Sequence, residues 1–181
     1  TLTCVRGTRA GTTFVVRSET ATHDGDPVCT QYSTCLVRGE TSDSIHGEAP
    51  PVRPDVRKEP GEKWRHALAL DQTRRYADAA RDYSAYTIDP AVAAKAGFPA
   101  PTVHGMLTLS LAARALVDRR CDGETRRLKR LGCRFAHPLF LLAGQSVEVE
   151  HWTGPGGFIG FEAVDNAGNI VIRNGYAQVS S

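Results

Sequence analysis

Between Arg81 and Ser110 the sequence RDYSAYTIDPAVAAKAGFPAPTVHGMLTLS gathers Asp82, Tyr83, Ser84, Tyr86 and Thr87, and then His104, ahead of an apolar run that opens at Gly105 and Met106. A helix that begins at Gly105 leaves its first amide hydrogens without intrahelical acceptors. Together with the helix dipole, such amides stabilise negative charge that develops on a nearby oxygen. Asp82 supplies a carboxylate beside them. The hydroxyl of Thr87 can orient a water, but its proton is not available near neutral pH, so it cannot do the acid/base work of an imidazole. Tyr83 and Tyr86 either line a pocket and donate to a substrate oxygen or cover the edge of a core. His104 reads as a buried histidine that fixes the loop entering the helix. His137, just after Phe135, either reaches the same place or is a surface or edge histidine.

These residues need a scaffold, and the periodicity describes one. Thr12 to Thr22 and Pro27 to Val37 are rich in β-branched and aromatic residues and flank the turn His23-Asp24-Gly25-Asp26, which predicts a β-hairpin. From Gly39 to Gly61 the chain becomes polar and proline-rich, as an exposed linker does. A short strand is expected over Trp64 to Leu70, then an amphipathic helix over Gln72 to Ala80 with Asp71 as its N-cap. Pro90 to Ala96 reads as a second helix, closed by Gly97. The run from Met106 to about Arg119 is apolar on nearly all sides, which predicts a buried helix. Strands follow at about Thr125 to Phe135, Ser146 to Trp152, Phe158 to Asp165 and Ile170 to Val179, with glycine-rich turns at Gly154–Gly157 and Asn166–Asn169. One buried helix backed by antiparallel strands is an α+β arrangement in which a sheet wraps a helix.

Composition narrows the class. The chain has 181 residues, 41% of them hydrophobic, and no apolar run long enough to cross a bilayer, so one or two small domains and no membrane partner are expected. A formal charge of +2 is too small to imply a nucleic-acid partner. Five cysteines without a CxxC pair argue against a disulfide framework and a zinc site. Reduced thiols and the lack of a signal-peptide pattern point to the cytoplasm, and no metal or cofactor is expected. The glycines at Gly154 lack the lysine and following helix of a phosphate loop, so a hairpin turn is the better reading.

YADAARDYSAYTIDPAVAAKAGFPAPTVHGM resembles, without a gap, the motif YAxxSGDxNPIHxDxxxAxxxGFxxPIxHGM of the MaoC-like family of hotdog-fold hydratases and dehydratases. RFAHPLFLLAGQSVEV resembles the family's RFxxPVxPGxxL segment, and GNIVIRNGYAQV its closing strand, so the likeness covers about Trp64 to Val179. The opening hairpin, ending in CLVRG, resembles the last strands of the first unit in double-hotdog members. The resemblance therefore implies a partial first hotdog over residues 1–39, whose front precedes residue 1, a linker over 40–62, and a complete hotdog over 63–181. A homodimer or a double hotdog follows as the expected assembly.

The same resemblance assigns roles. Asp82 falls on the catalytic aspartate and Thr87 on the catalytic histidine, while Ser84, Ala85 and Tyr86 replace the asparagine, proline and aliphatic residue between them. Asp89, His104, Gly105 and Met106 are retained. In the family the aspartate and histidine hold a water or a substrate hydroxyl and move a proton between Cα and Cβ of an acyl thioester, and the amide here placed at Gly105 polarises the carbonyl. Tyr83, Ser84, Tyr86, His104 and Met106 are the expected substrate contacts. Without the histidine, hydratase activity should be weak or absent unless another residue has taken over. Three readings follow: a 3-hydroxyacyl or enoyl thioester lyase with an altered dyad, a repurposed enzyme such as a cyclase acting on a polyketide-derived molecule, and a non-catalytic subunit. The basic residues Arg119, Arg120, Arg126, Arg127, Lys129 and Arg130 are either a solvated face or a contact for the phosphates of coenzyme A or for an acyl carrier protein.

Overall fold

A computed structural model describes residues 1–39 and 45–180; residues 40–44, at the head of the expected linker, and Ser181 lie outside the described residues. The chain divides into two compact units, Thr1–Arg53 and Pro54–Ser181. The first is a four-stranded antiparallel sheet of order β3-β2-β1-β4, formed by β1 (Leu2–Thr8), β2 (Gly11–Ala21), β3 (Pro27–Arg38) and β4 (Ile45–Gly47). The expected hairpin is β2–β3, in register from Gly11 opposite Arg38 to Thr20 opposite Cys29. Two strands were not anticipated: β1 carries no clean alternation, and β4 is three residues inside a polar stretch. Gly11 is required where it stands, because a Cβ there would lie 2.0 Å from the Val37 carbonyl oxygen and its φ is +140°. Among the described residues of this unit only Cys4, Gly11, Thr12 and Val15 are buried, while Val28, Tyr32, Leu36 and Ile45 are exposed.

The second unit is built around one long helix. Its elements are β5 (Glu62–Ala67), α1 (Gln72–Ala80), α2 (Ala85–Ile88), α3 (Pro90–Lys95), α4 (Gly105–Arg120), β6 (Leu128–Phe135), β7 (Ser146–Thr153), β8 (Phe158–Val164) and β9 (Ile170–Val179). The strands pair antiparallel in the order β5-β7-β8-β9-β6. No helix among the described residues is long and apolar enough to cross a membrane.

Helix α4 is rich in alanine and leucine, which lose little freedom in a helix. It buries Leu107, Thr108, Leu111, Ala112, Ala115 and Leu116, one face at helical spacing. That face enters a core with Val147, Val149, Phe161, Ala163, Val171 and Ile172 from β7, β8 and β9. The expectation of burial on all sides is corrected: Met106, Ser110, Arg114 and Asp118, four residues apart, form an exposed stripe, and Arg114 pairs with Asp118 at 3.6 Å.

The sheet must bend to follow the helix, and glycines opposite aromatic rings allow it. Gly160 faces Trp152 and Gly175 faces Phe161 across neighbouring strands, where an added Cβ would come within 2.4–2.5 Å of the facing ring. The Trp152 indole N–H is satisfied by the Arg57 carbonyl at 2.6 Å.

One local expectation changes, and one cap was not foreseen. Asp71 occupies the N-cap position of α1 but makes no capping hydrogen bond; its carboxylate faces Arg75 at 3.8 Å. Asp89 caps α3, accepting from the amides of Ala91 and Val92 at 2.8 and 3.4 Å.

If α4 packing holds this unit together, Leu116→Ala, at a fully buried position, should destabilise it by about 2–5 kcal/mol in urea unfolding. Leu70→Ala, at a site 67% exposed, should stay within about 0.5 kcal/mol of the parent.

Candidate active site

The loop that carries Asp82 begins where α1 ends. Arg81 adopts a left-handed conformation (φ 54°) at the C-cap, and the Asp82 amide donates back to Ala77 at 3.2 Å. The chain is thus turned away from α1. Asp82 Oδ1 then accepts from the Ser84 hydroxyl at 2.7 Å and from the Ser84 amide at 3.2 Å, a local aspartate turn. These two donors hold the Asp82 carboxyl below its ordinary value, with a smaller contribution from His104. The group is exposed and ionised at neutral pH, which makes it an acceptor or a base and not an acid.

Thr87 lies on α2, a single turn too short to be legible from periodicity. The Thr87 hydroxyl donates to the Ser84 carbonyl at 2.6 Å and faces His104 Nε2 at 2.9 Å. Its only proton is therefore committed, so the remaining contact requires Nε2 to carry the hydrogen. That same N–H faces the Asp82 carbonyl at 3.1 Å. His104 is 5% exposed, and its Nδ1 is buried without a hydrogen-bond partner. Its ring packs on Tyr76, centroids 4.8 Å apart, and burial raises the Tyr76 pKa. The Thr87 hydroxyl thus has no proton left with which to orient a water.

His104 is also the N-cap of α4, so Gly105 is its first residue. The loop before it is pinned twice: Thr102 donates to the Tyr86 carbonyl at 3.2 Å, and Val103 to the Leu139 carbonyl at 2.7 Å. A Cβ at Gly105 would meet the Phe135 ring at 3.4 Å, so β6 delivers that ring over the amino end of the helix.

These elements enclose a cavity of about 460 Å³ whose wall includes Asp82, Ser84, Tyr86, Thr87, His104, Gly105 and Met106. Its size suits a small acyl group. Tyr83 is not in the wall: it is exposed, and its hydroxyl is paired with Asp78, which raises its pKa. Tyr86 is, with its ring edge-on to Phe98, also in the wall. Sequence reading did not name Phe98, Phe135, Leu139 or Val171 as lining residues; only the RFAHPL segment could have signalled two of them. His137 lines the cavity as well. Cys133 on β6 is not part of the cavity wall, and burial pushes its thiol up to about 11.

The basic cluster lies elsewhere. Arg119 and Arg120 end α4, about 21 Å along the helix from Gly105. Arg120 faces Glu62 at 3.6 Å and His151 Nδ1 at 3.1 Å, Arg126 pairs with Glu124, Arg127 with Asp122, and Arg130 lies over the Tyr176 ring. Most of the cluster is engaged within its own unit.

If the Ser84 bonds set the charge of Asp82, Ser84→Ala should move the Asp82 carboxyl back up toward its ordinary value in an NMR titration of the carboxyl carbon. An unmoved titration would show that these bonds do not control it.

Known proteins resemble this chain in sequence and in fold. The model of the MaoC like domain matches residues 52–166. The peroxisomal multifunctional enzyme type 2 of Mus musculus is 34% identical over 116 residues, covering 64% of this chain and 15% of its own. An enoyl-CoA hydratase of Mycobacterium tuberculosis is 29% identical over 168 residues, 91% of this chain and 57% of its own. The crystal structure of a MaoC-like dehydratase from Phytophthora capsici superposes with a TM-score of 0.90 at 26% identity, covering 99% of this chain and 60% of that one. The chain thus spans only part of each of these relatives. With a family match over most of its length and a sheet wrapped around α4, this chain belongs to the MaoC-like family of hotdog-fold enoyl-CoA hydratases and dehydratases.

Proposed function

We propose that this chain adds water to, or removes it from, the Cα–Cβ bond of an acyl-CoA thioester. The observation that carries this reading is the shared cavity, which sets the ionised Asp82 and the amino end of α4 against one volume. The thioester carbonyl would accept from the Gly105 amide, which draws electron density from Cβ and favours addition there. Asp82 would accept a hydrogen bond from the reacting water or substrate hydroxyl. Tyr86, Met106 and Phe98 would cover the acyl chain. Five free cysteines fit a reducing compartment such as the cytoplasm.

A second reading has its own support. The committed Thr87 hydroxyl removes one partner from the family's dyad, which favours a pocket that works by shape and hydrogen bonding on another substrate, such as a polyketide-derived molecule. It would equally suit a subunit that binds without turnover.

The assembly is part of the proposal. The first unit exposes Val28, Tyr32 and Leu36 and has no helix among its described residues, so we expect a second hotdog to complete it, within a longer chain or in a dimer. Light scattering of this chain should give a mass above 19.6 kDa; a lone monomer would count against the dimer.

Hydration of short and longer trans-2-enoyl-CoA thioesters, followed by loss of the enoyl absorbance, tests the main reading. Asp82→Asn, which takes away the acceptor that orients the water, should lower kcat/KM about a hundredfold; unchanged activity would favour the binding-subunit reading. Gly105→Pro removes the amide hydrogen at a helix position that tolerates proline and should cost about a hundredfold to a thousandfold in kcat. Gly105→Ala adds a Cβ but keeps the amide and should lose far less.

A further inference from the structure

Of the histidines in the second unit, only His104 and His137 line the cavity. His66 stacks on Trp64 in β5, at the opposite edge of the sheet from β6. His151 is fully buried and takes the Arg120 guanidinium on its Nδ1. His104 faces Thr87 and a main-chain carbonyl through its Nε2, and its Nδ1 is sealed from solvent. It has no open route to a reacting atom. His137 is exposed.

Its backbone is firmly placed. Ala136 and His137 donate to the Val171 and Ile170 carbonyls at 3.0 and 3.2 Å, which continues the β6–β9 ladder past Phe135. Two residues later the Leu139 carbonyl accepts from Val103, and Thr102 and Phe140 form a bridge. The Phe135 ring lies over Gly105. His137 is therefore two residues, about 7 Å of extended chain, from each of two anchors on the loop that opens α4. Pro138 further restricts the segment.

We propose that His137 is the proton carrier of this cavity, in the place left by the missing dyad imidazole; the inference rests on the hydratase reading above. In hydration, the water oxygen bonds to Cβ while the proton it loses passes to the free ring nitrogen of His137. The π electrons of the Cα–Cβ bond move onto the thioester oxygen, where the Gly105 amide meets the charge. The enolate then returns the pair to Cα, which takes the proton from the His137 imidazolium. One water is added and the imidazole is regenerated. Asp82, ionised and already holding Ser84, orients the water without exchanging a proton.

The test compares the parent chain, His137→Gln and His137→Ala in trans-2-enoyl-CoA hydration, with and without added imidazole. Both variants should keep the parent's melting temperature. His137→Gln should lose about a hundredfold to ten-thousandfold in kcat with little change in KM, and imidazole should restore a measurable part of the lost rate to His137→Ala, which a positioning role could not produce. An active parent with an equally active His137→Gln variant overturns the inference and leaves the hydratase reading standing. So does an inactive His137→Ala variant that imidazole leaves unchanged. A parent that hydrates none of the enoyl thioesters overturns both.

Discussion

The imidazole of His104 is the tie on which the site depends. Through Nε2 it meets the Asp82 carbonyl and the Thr87 hydroxyl, and through its backbone it caps α4. One side chain thus joins the loop carrying the carboxylate to the helix end carrying the free amides. Three bonds of ordinary length secure a loop whose own helix, α2, is only one turn long and holds two β-branched residues that are poor helix formers. The arrangement leaves Nδ1 buried and unmatched, at a cost on the order of 1–3 kcal/mol. That cost is offset by the surrounding packing against Tyr76 and the core.

This tie also gives Thr87 a role that differs from catalysis. Its hydroxyl donates to Ser84 and accepts from His104, so it closes the α2 turn and seats the imidazole at once. A residue 98% buried with no spare proton is a structural member of the site. The acid/base task then falls to groups on the cavity surface. In the mechanism proposed, His137, just past the end of β6, carries the proton, and Asp82, held ionised by Ser84, orients the water.

Much of this was legible in the residues, and the misses have physical causes. The β2–β3 hairpin, α1, α3, β9 and the α4 helix were visible because each is a periodic run closed by a turn or cap signal; one helix backed by strands implied a sheet wrapped around a helix, and the resemblance of the Tyr76–Met106 segment implied the hotdog fold. The exposed stripe of α4 was hidden because Met106 and Ser110 interrupt it without charge. Tyr83 and Tyr86 are near-identical in sequence terms, and only the left-handed turn at Arg81 and the pairing with Asp78 decide which of them faces the cavity. The basic cluster could be read as a solvated face or as a carrier contact because sequence distance conceals that α4 and β6 run it to the end remote from Gly105. Likewise, Phe135 and His137 are about thirty residues from Gly105 along the chain and reach it only because β6 returns beside α4.

In the function proposed, the amino end of α4 polarises a thioester carbonyl within this cavity. Difference infrared spectroscopy of the chain with a trans-2-enoyl-CoA labelled with carbon-13 at the carbonyl reads that bond directly. The carbonyl stretch should shift to lower frequency on binding to the parent chain, with the shift reduced in Gly105→Pro. A bound thioester whose carbonyl band stays at its solution frequency would contradict it.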